Sequence, residues 1–218
     1  MAMPAVPLTR RLRGRMLLAL MVGVVLLLVI PTVFFPTVVF PPKAPHFDED
    51  LALPEFALVD NTGAALTRDS LLGHVTIVNF IFTRCDTVCP VTSMKMRTLQ
   101  ERTGDEPGIK LVSITVDPDH DTVPVLAAYA DKYGADPTRW RFARGELAAV
   151  RALVEKAMTI GFDTIGTTAS GVPNIAHSGH FVLLDQRAHL RGYYDSDDWN
   201  RMETLMRNAR WLMHRPPH

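Results

Sequence analysis

Hydrophobic and polar positions divide the chain into two parts of different character. Between Met16 and Pro42 no charged side chain occurs, and the run MLLALMVGVVLLLVIPTVFFPTVVF (16–40) is apolar all round rather than along one stripe. About 20 such residues in a helix cross the hydrocarbon core of a bilayer. The sequence therefore predicts a transmembrane anchor over 16–40. Pro31 and Pro36 kink or end its helix, which is expected from about Met16 to Phe35, with the rest at the outer interface. A cleaved secretion signal is the alternative. Against it, the run exceeds the ~7–15 apolar residues of a signal core, and no A-x-A pattern precedes the acidic body.

Beyond the anchor, the Pro- and acid-rich segment FPPKAPHFDEDLALPEF has no sustained period, and 41–52 within it reads as a linker. From residue 53 to 214, strand-like and helix-like runs alternate. EFALVDNTG reads as a short strand and turn, VTIVNFIF (75–82) as a strand buried on both faces, and VTSMKMRTLQERTG (91–104) as a helix stopping at a glycine. The strand IKLVSITV, the helix VPVLAAYADKYG, the short strand RWRFARG and the amphipathic helix ELAAVRALVEKAM follow. GFDTIGTTASGVPNIAHSG (161–179) has no period and reads as a long loop. HFVLLD and HLRGYYD are two strands joined at QRA, and DDWNRMETLMRNARWLMH is a terminal helix with Trp199, Met202, Leu205, Met206 and Leu212 at core spacing. This order predicts an α/β fold, a mostly parallel sheet with an antiparallel edge and helices on both faces, similar to the thioredoxin superfamily. Residues 215–218 form a short tail.

Charge adds an orientation. The formal net charge is +0, which gives no whole-chain reason to expect nucleic acid. Yet residues 1–43 hold Arg10, Arg11, Arg13, Arg15 and Lys43 and no acid, leaving 18 basic residues against 23 acids, about −5, in the remainder. Basic residues ahead of a span keep that end in the cytoplasm. The segment 1–15 is thus expected in the cytoplasm and the body in the periplasm of a bacterial-type inner membrane, where a disulfide persists.

The chain has two cysteines, Cys85 and Cys89, in NFIFTRCDTVCP. The strand ends near Phe82 and the helix is expected to begin within CDTVCP, since proline favours the first helical turn. Both sulfurs would then meet the positive end of a helix, which favours the thiolate. Arg84 adds positive charge beside Cys85, and Asp86 opposes it. Three readings are open: a structural disulfide, a redox dithiol exchanging with a partner, or two ligands for a soft metal. A five-residue loop gives the first little entropic gain. Two thiolates without further cysteines favour Cu(I) or a mixed sulfur and nitrogen site. A third ligand would come from the entry to the strand after the long loop, NIAHSGHFVLLD, where His177 and His180 are candidates. His180 lies in the strand run and follows its pleat, whereas His177 lies in the loop. Two Cys and one His suit copper in both oxidation states.

These residues resemble the Sco (SCO1/SenC) family, which helps load copper into cytochrome c oxidase. The likeness covers roughly Leu51 to Met213 and rests on IVNFIFTRCDTVCPVTSMKM, ITVDPDHDT, HSGHFVLLD and the N-terminal anchor. It implies Cys85, Cys89 and His177 as copper ligands, with Asp117 supporting the site. It also implies a copper metallochaperone serving the copper-site subunit of cytochrome c oxidase, with other copper chaperones or thioredoxin-like reductants as further partners. The alternative is a thiol-disulfide oxidoreductase, with Cys85 and Cys89 as the redox pair, keeping the acceptor's cysteines reduced. A peroxidase of the same superfamily would need a supporting Arg or Trp/Gln set that the sequence does not display. Two departures stand out: Asp86 replaces the proline common after the first cysteine, and Asp121-Thr122-Val123-Pro124 is one residue longer than the usual D-T-P. An acid at position 86 disfavours the Cys85 thiolate. His46, His214 and His218 read as solvated linker and tail, and Met94 and Met96 as pointing to different helix faces.

Overall fold

A computed structural model describes residues 10–34, 45–47, 50–85, 88–154 and 179–215. The chain divides into two units, Met1–Ala44 and Pro45–His218. The first contains helix α1 (Arg10–Phe34, 25 residues). Its described side chains between Leu17 and Val29 are exposed. Among the described residues, no helix is long and apolar enough to cross a membrane.

The second unit is built on a mixed sheet. Its described strands are β1 (Leu51–Ala52), β2 (Ala57–Asp60), β3 (Ala65–Thr67), β4 (Val75–Ile81), β5 (Ile109–Thr115), β6 (Trp140–Arg144), β7 (His180–Leu184) and β8 (His189–Asp195). They lie in the order β1-β8-β7-β4-β5-β6-β2-β3. Its described helices are α2 (Val88–Arg102), α3 (Val123–Tyr133), α4 (Leu147–Ala152) and α5 (Trp199–Met213). Every residue of β4 is buried, as its unbroken apolar run requires.

The expected α/β mixed sheet flanked by helices is what the chain forms, but the expectation that it is mostly parallel is corrected. Among the described strands only β4–β5 and β5–β6 pair in parallel; every other pairing is antiparallel. Parallel pairing needs a helical crossover, and only the segments carrying α2 and α3 supply one between neighbouring strands. The short strands β1 and β3 lie at the two edges. The segment read as a linker to residue 52 ends in β1, which pairs with β8 through Leu51↔Leu190.

α5 packs on β4, β5 and β8, α2 on β4, and α3 on β6. Leu71, Val78, Val112, Ile114, Leu153 and Leu184 meet on one side of the sheet. α3 stops at Gly134, whose φ of 65° is the left-handed cap conformation that glycine adopts without strain. One assignment on α5 is overturned. Met202, Leu205, Met206 and Leu212 are core, but Trp199 is 68% exposed. It is the first residue of the helix, just after the N-cap Asp198, so the helical spacing that counts it as core runs past the end of the packed stripe.

Candidate metal centre

The site grows from the C-terminal ends of β4 and β5. After Ile81 the chain leaves the sheet and turns, with the Cys85 amide donating to the Phe82 carbonyl at 3.2 Å. α2 begins at Val88, so Cys89 lies inside its first turn and Pro90 is the third helical residue, where its missing N–H costs nothing. The Cys89 amide, one of the groups a helix start leaves without a helical partner, donates to Cys85 Sγ at 3.3 Å. The helix N-terminus therefore meets the first sulfur directly. Both cysteines are buried: 7% exposed at Cys85 and 0% at Cys89.

Burial changes the expected electrostatics. At Cys89, desolvation pushes the thiol far above the usual range. Proximity to Cys85 and the charge of Asp121 act in the same direction, and a backbone hydrogen bond from Phe82 only partly opposes them. The reading that the helix end favours thiolate at both cysteines is thus reversed for Cys89. Arg84 does not simply face Cys85 either. Its guanidinium donates to Asp117 Oδ2 at 2.7 and 3.2 Å and lies 3.0 Å from His120 Nδ1.

Two acids of the VDPDHDT turn organise the loop. Burial alone would raise the Asp117 pKa, but hydrogen bonds from His120 and Arg84 outweigh it and hold the carboxyl below its ordinary value. Asp121 is 0% exposed. It accepts from the Thr83 amide at 3.1 Å and the Thr83 hydroxyl at 2.5 Å, and also from the Thr115 hydroxyl. It is a latch between the end of β5 and the residue two before Cys85. Sequence reasoning named Asp117 and missed Asp121. The parallel register Ile81↔Thr115 is the signal that brings the two strand ends together.

His177 and Asp86 lie outside the described residues, as does the loop 161–178. His180 opens β7, opposite Asp195, and its Nδ1 is buried without a hydrogen-bond partner. Continuing the register Val78↔Val182 by two residues sets His180 opposite Phe80, so β7 is entered at the cysteine end of β4. Gly179 adopts φ 57°, and a Cβ added there would lie 4.0 Å from Val88 Cγ1 and 3.1 Å from Ser196 Oγ. The backbone two residues after position 177 thus passes near the start of the cysteine helix, with room for about one carbon between them. Among the described residues, no group of three His, Cys, Asp or Glu side chains is arranged to hold a metal. His46 and His214 are exposed, and His218 lies outside the described residues. Met94 is 53% exposed and Met96 is 0%.

The same fold and motif recur in known proteins. The chain is 28% identical over 130 residues to the SCO1 protein homolog of Bacillus subtilis, covering 59% of this chain and 66% of that one. BsSco, a member of the Sco family of cytochrome c oxidase assembly proteins, superposes with a TM-score of 0.64 at 20% identity, over 78% of this chain and 98% of its own. ScoI of Bradyrhizobium japonicum, solved with copper bound, does so with a TM-score of 0.59 at 21% identity, over 74% and 99%. The family model SCO1/SenC matches residues 45–214, the whole of the sheet, the cysteine turn and the entry to β7, and by that match the chain belongs to the SCO1/SenC family.

Proposed function

We propose that this chain carries copper as cargo on Cys85, Cys89 and His177 and hands it to the copper-site subunit of a cytochrome c oxidase during assembly. The observation that supports this reading best is the proximity of Gly179 to the start of α2: a Cβ added at 179 would lie 4.0 Å from Val88 Cγ1. Covalent geometry keeps residue 177 within about 7 Å of Gly179 along the chain. On this reading the imidazole at 177 reaches the two thiols from the entry to β7. Copper seated there has soft thiolate donors for Cu(I) and a nitrogen donor for Cu(II).

Loading is proton-coupled on this reading. Copper takes thiolates, so Cys89, whose burial favours the thiol, gives up its proton as the metal arrives. The Arg84–Asp117–His120 cluster and the Asp121 latch hold the loop that presents Cys85. Because both sulfurs are buried, the acceptor must open this loop before its own ligands replace them. The apolar run 16–40 is long enough, on this reading, to serve as a single-pass anchor. The arginines preceding it keep the N-terminus cytoplasmic, with the body of residues 53–214 in the periplasm.

One observation favours a second role. The Cys89 amide on Cys85 Sγ stabilises a thiolate at the more accessible sulfur, the arrangement a thiol-disulfide reductant uses. Substituting His177→Ala separates the two. The reduced full-length chain in an uncharged detergent is titrated with Cu(I) and Cu(II), following stoichiometry and the thiolate-to-Cu(II) absorption band. Copper delivery requires one copper per chain in the parent and loss of tight Cu(II) binding in the variant, with disulfide exchange nearly intact. Unchanged copper affinity in H177A overturns the ligand assignment and leaves the reductant.

A further inference from the structure

The opposite end of the sheet holds a cavity of about 210 Å³ that the copper reading does not use. It lies where β4, β5 and β6 begin, beneath the 3₁₀ turn Asp69–Leu71. β4 is seven residues long, so about 20 Å of strand separates this cavity from the cysteine turn. Thr76, Lys110, His74, Arg139 and Arg141 line it, and among the described residues no acid does. The register explains the grouping. Thr76 pairs with Lys110, and Arg141 pairs with Val112 two residues along β5, so these side chains share one face of the sheet.

The donors there are incompletely used. Thr76 is 0% exposed and its hydroxyl has no hydrogen-bond partner. His74 Nδ1 and Arg139 Nε are likewise buried without one. The rest of the Arg139 guanidinium is spent on the Gln100 and Thr103 carbonyls and the Thr103 hydroxyl, and Lys110 Nζ donates to the Thr138 carbonyl at 2.9 Å. Neither cation is hydrogen-bonded to an acid. Arg141 has one carboxylate, Asp60, at 3.4 Å. Asp136 lies close enough to Arg139 and Lys110 to feel their charge, but both the Thr138 amide and hydroxyl bind its Oδ1. A buried polar atom without a partner is costly, and here three such atoms belong to residues that line one cavity among cations.

We propose that this cavity binds a tetrahedral oxyanion of the phosphate or sulfate type, free or as the headgroup of a phospholipid. The anion accepts from the Thr76 hydroxyl, His74 and Arg139 Nε and is neutralised by Lys110 and Arg141. Water, at about 30 Å³ a molecule, also fits the space but supplies no charge. His74 adds proton linkage. Burial, then the charges of Lys110 and Arg141, depress its pKa below 6.5, and a bound anion opposes all three effects. Binding therefore tightens as the pH falls through and below 6.5.

The test is calorimetric titration of the full-length chain in uncharged detergent with inorganic phosphate, and with sulfate for the pH series because its charge stays constant. Saturable binding is expected, weakened roughly tenfold in Lys110→Gln and several-fold in the isosteric Thr76→Val, and unchanged in the surface control Lys132→Gln. The lipid arm compares chain stability in phosphatidylcholine discs with and without phosphatidic acid. A Thr76- and Lys110-dependent stabilisation seen only with phosphatidic acid assigns the headgroup as the source. Binding that never saturates in either arm, or that is the same in T76V and K110Q as in the parent, overturns the site. Copper titration of the same variants should match the parent, so failure here is distinct from failure of the copper reading.

Discussion

The central strand β4 has two chemically opposite ends. At its C-terminal end stand Cys85 and Cys89, backed by the acids Asp117 and Asp121 of the β5 turn. At its N-terminal end stand His74, Lys110, Arg139 and Arg141 around a buried hydroxyl. At the acid end the two carboxylates are fully engaged: Asp121 alone accepts three hydrogen bonds, and Asp117 binds both Arg84 and His120, while His180 Nδ1 at the entry to β7 stays without a partner among the described residues. The basic end leaves Thr76 Oγ1, His74 Nδ1 and Arg139 Nε without partners. One end therefore spends its acids on holding the loop that positions two sulfurs. The other is organised but chemically incomplete. A sheet long enough to separate the two allows cation and anion chemistry in one small domain without mutual neutralisation.

The largest test of this contrast is at the sulfurs. Cys85→Ala or Cys89→Ala should remove tight Cu(I) binding, a loss beyond the roughly 10–100-fold that follows from deleting a supporting contact. Competition against a chromophoric Cu(I) chelator measures it, and an affinity within tenfold of the parent breaks the assignment of that end. The next effect is on stability. Asp121→Ala strands the Thr83 amide and the Thr83 and Thr115 hydroxyls, which costs about 3 kcal/mol and lowers Tm by roughly 6–12 °C. Calorimetric melting reports it; a shift under 2 °C would mean the latch is not structural.

Much of this was legible in the residues, for reasons that differ from place to place. β4 and β5 announce themselves because strands buried on both faces are continuous apolar runs, and the cysteine turn is marked by the only two cysteines and a proline. β1 and β3 were missed because two or three residues cannot display a period. The thiolate expectation failed at Cys89 because a helix end is visible in sequence and burial is not. Trp199 obeys helical spacing, yet packing stops one turn later at Met202. Asp121 lies within the ITVDPDHDT run and Thr76 in no motif, and in neither case does the pattern alone show what the side chain does. Their roles arise from parallel pairing, which aligns residues 38 and 34 positions apart in Thr83–Asp121 and Thr76–Lys110.

Acid pH probes both ends at once. Asp117 and Asp60 are each desolvated, which raises their pKa, but hydrogen bonds from His120 and Arg84 at one, and from Thr62 and Ala64 at the other, leave both below 3.8. Their stabilisation is complete above 3.8 and is lost as the pH falls through the lower, folded values. Urea midpoints should drop below about pH 4, and less steeply in Asp117→Asn and in Asp60→Asn than in the parent. An equal slope in either variant would remove that carboxylate from the account.

The smallest effect has the most informative sign. At the acid end every conservative substitution removes a made hydrogen bond and destabilises. Thr76→Val removes a hydroxyl that is fully buried and bonds nothing, and it keeps the side chain's shape. In buffer free of phosphate and sulfate the variant should therefore melt higher, by about 1 kcal/mol or roughly 2–4 °C. Adding sulfate should raise the parent's Tm more than the variant's and close or invert that gap, because only the parent supplies the hydroxyl to the anion. A variant less stable than the parent in both buffers would mean that Thr76 already has a partner, and the two ends of β4 would then be equally complete.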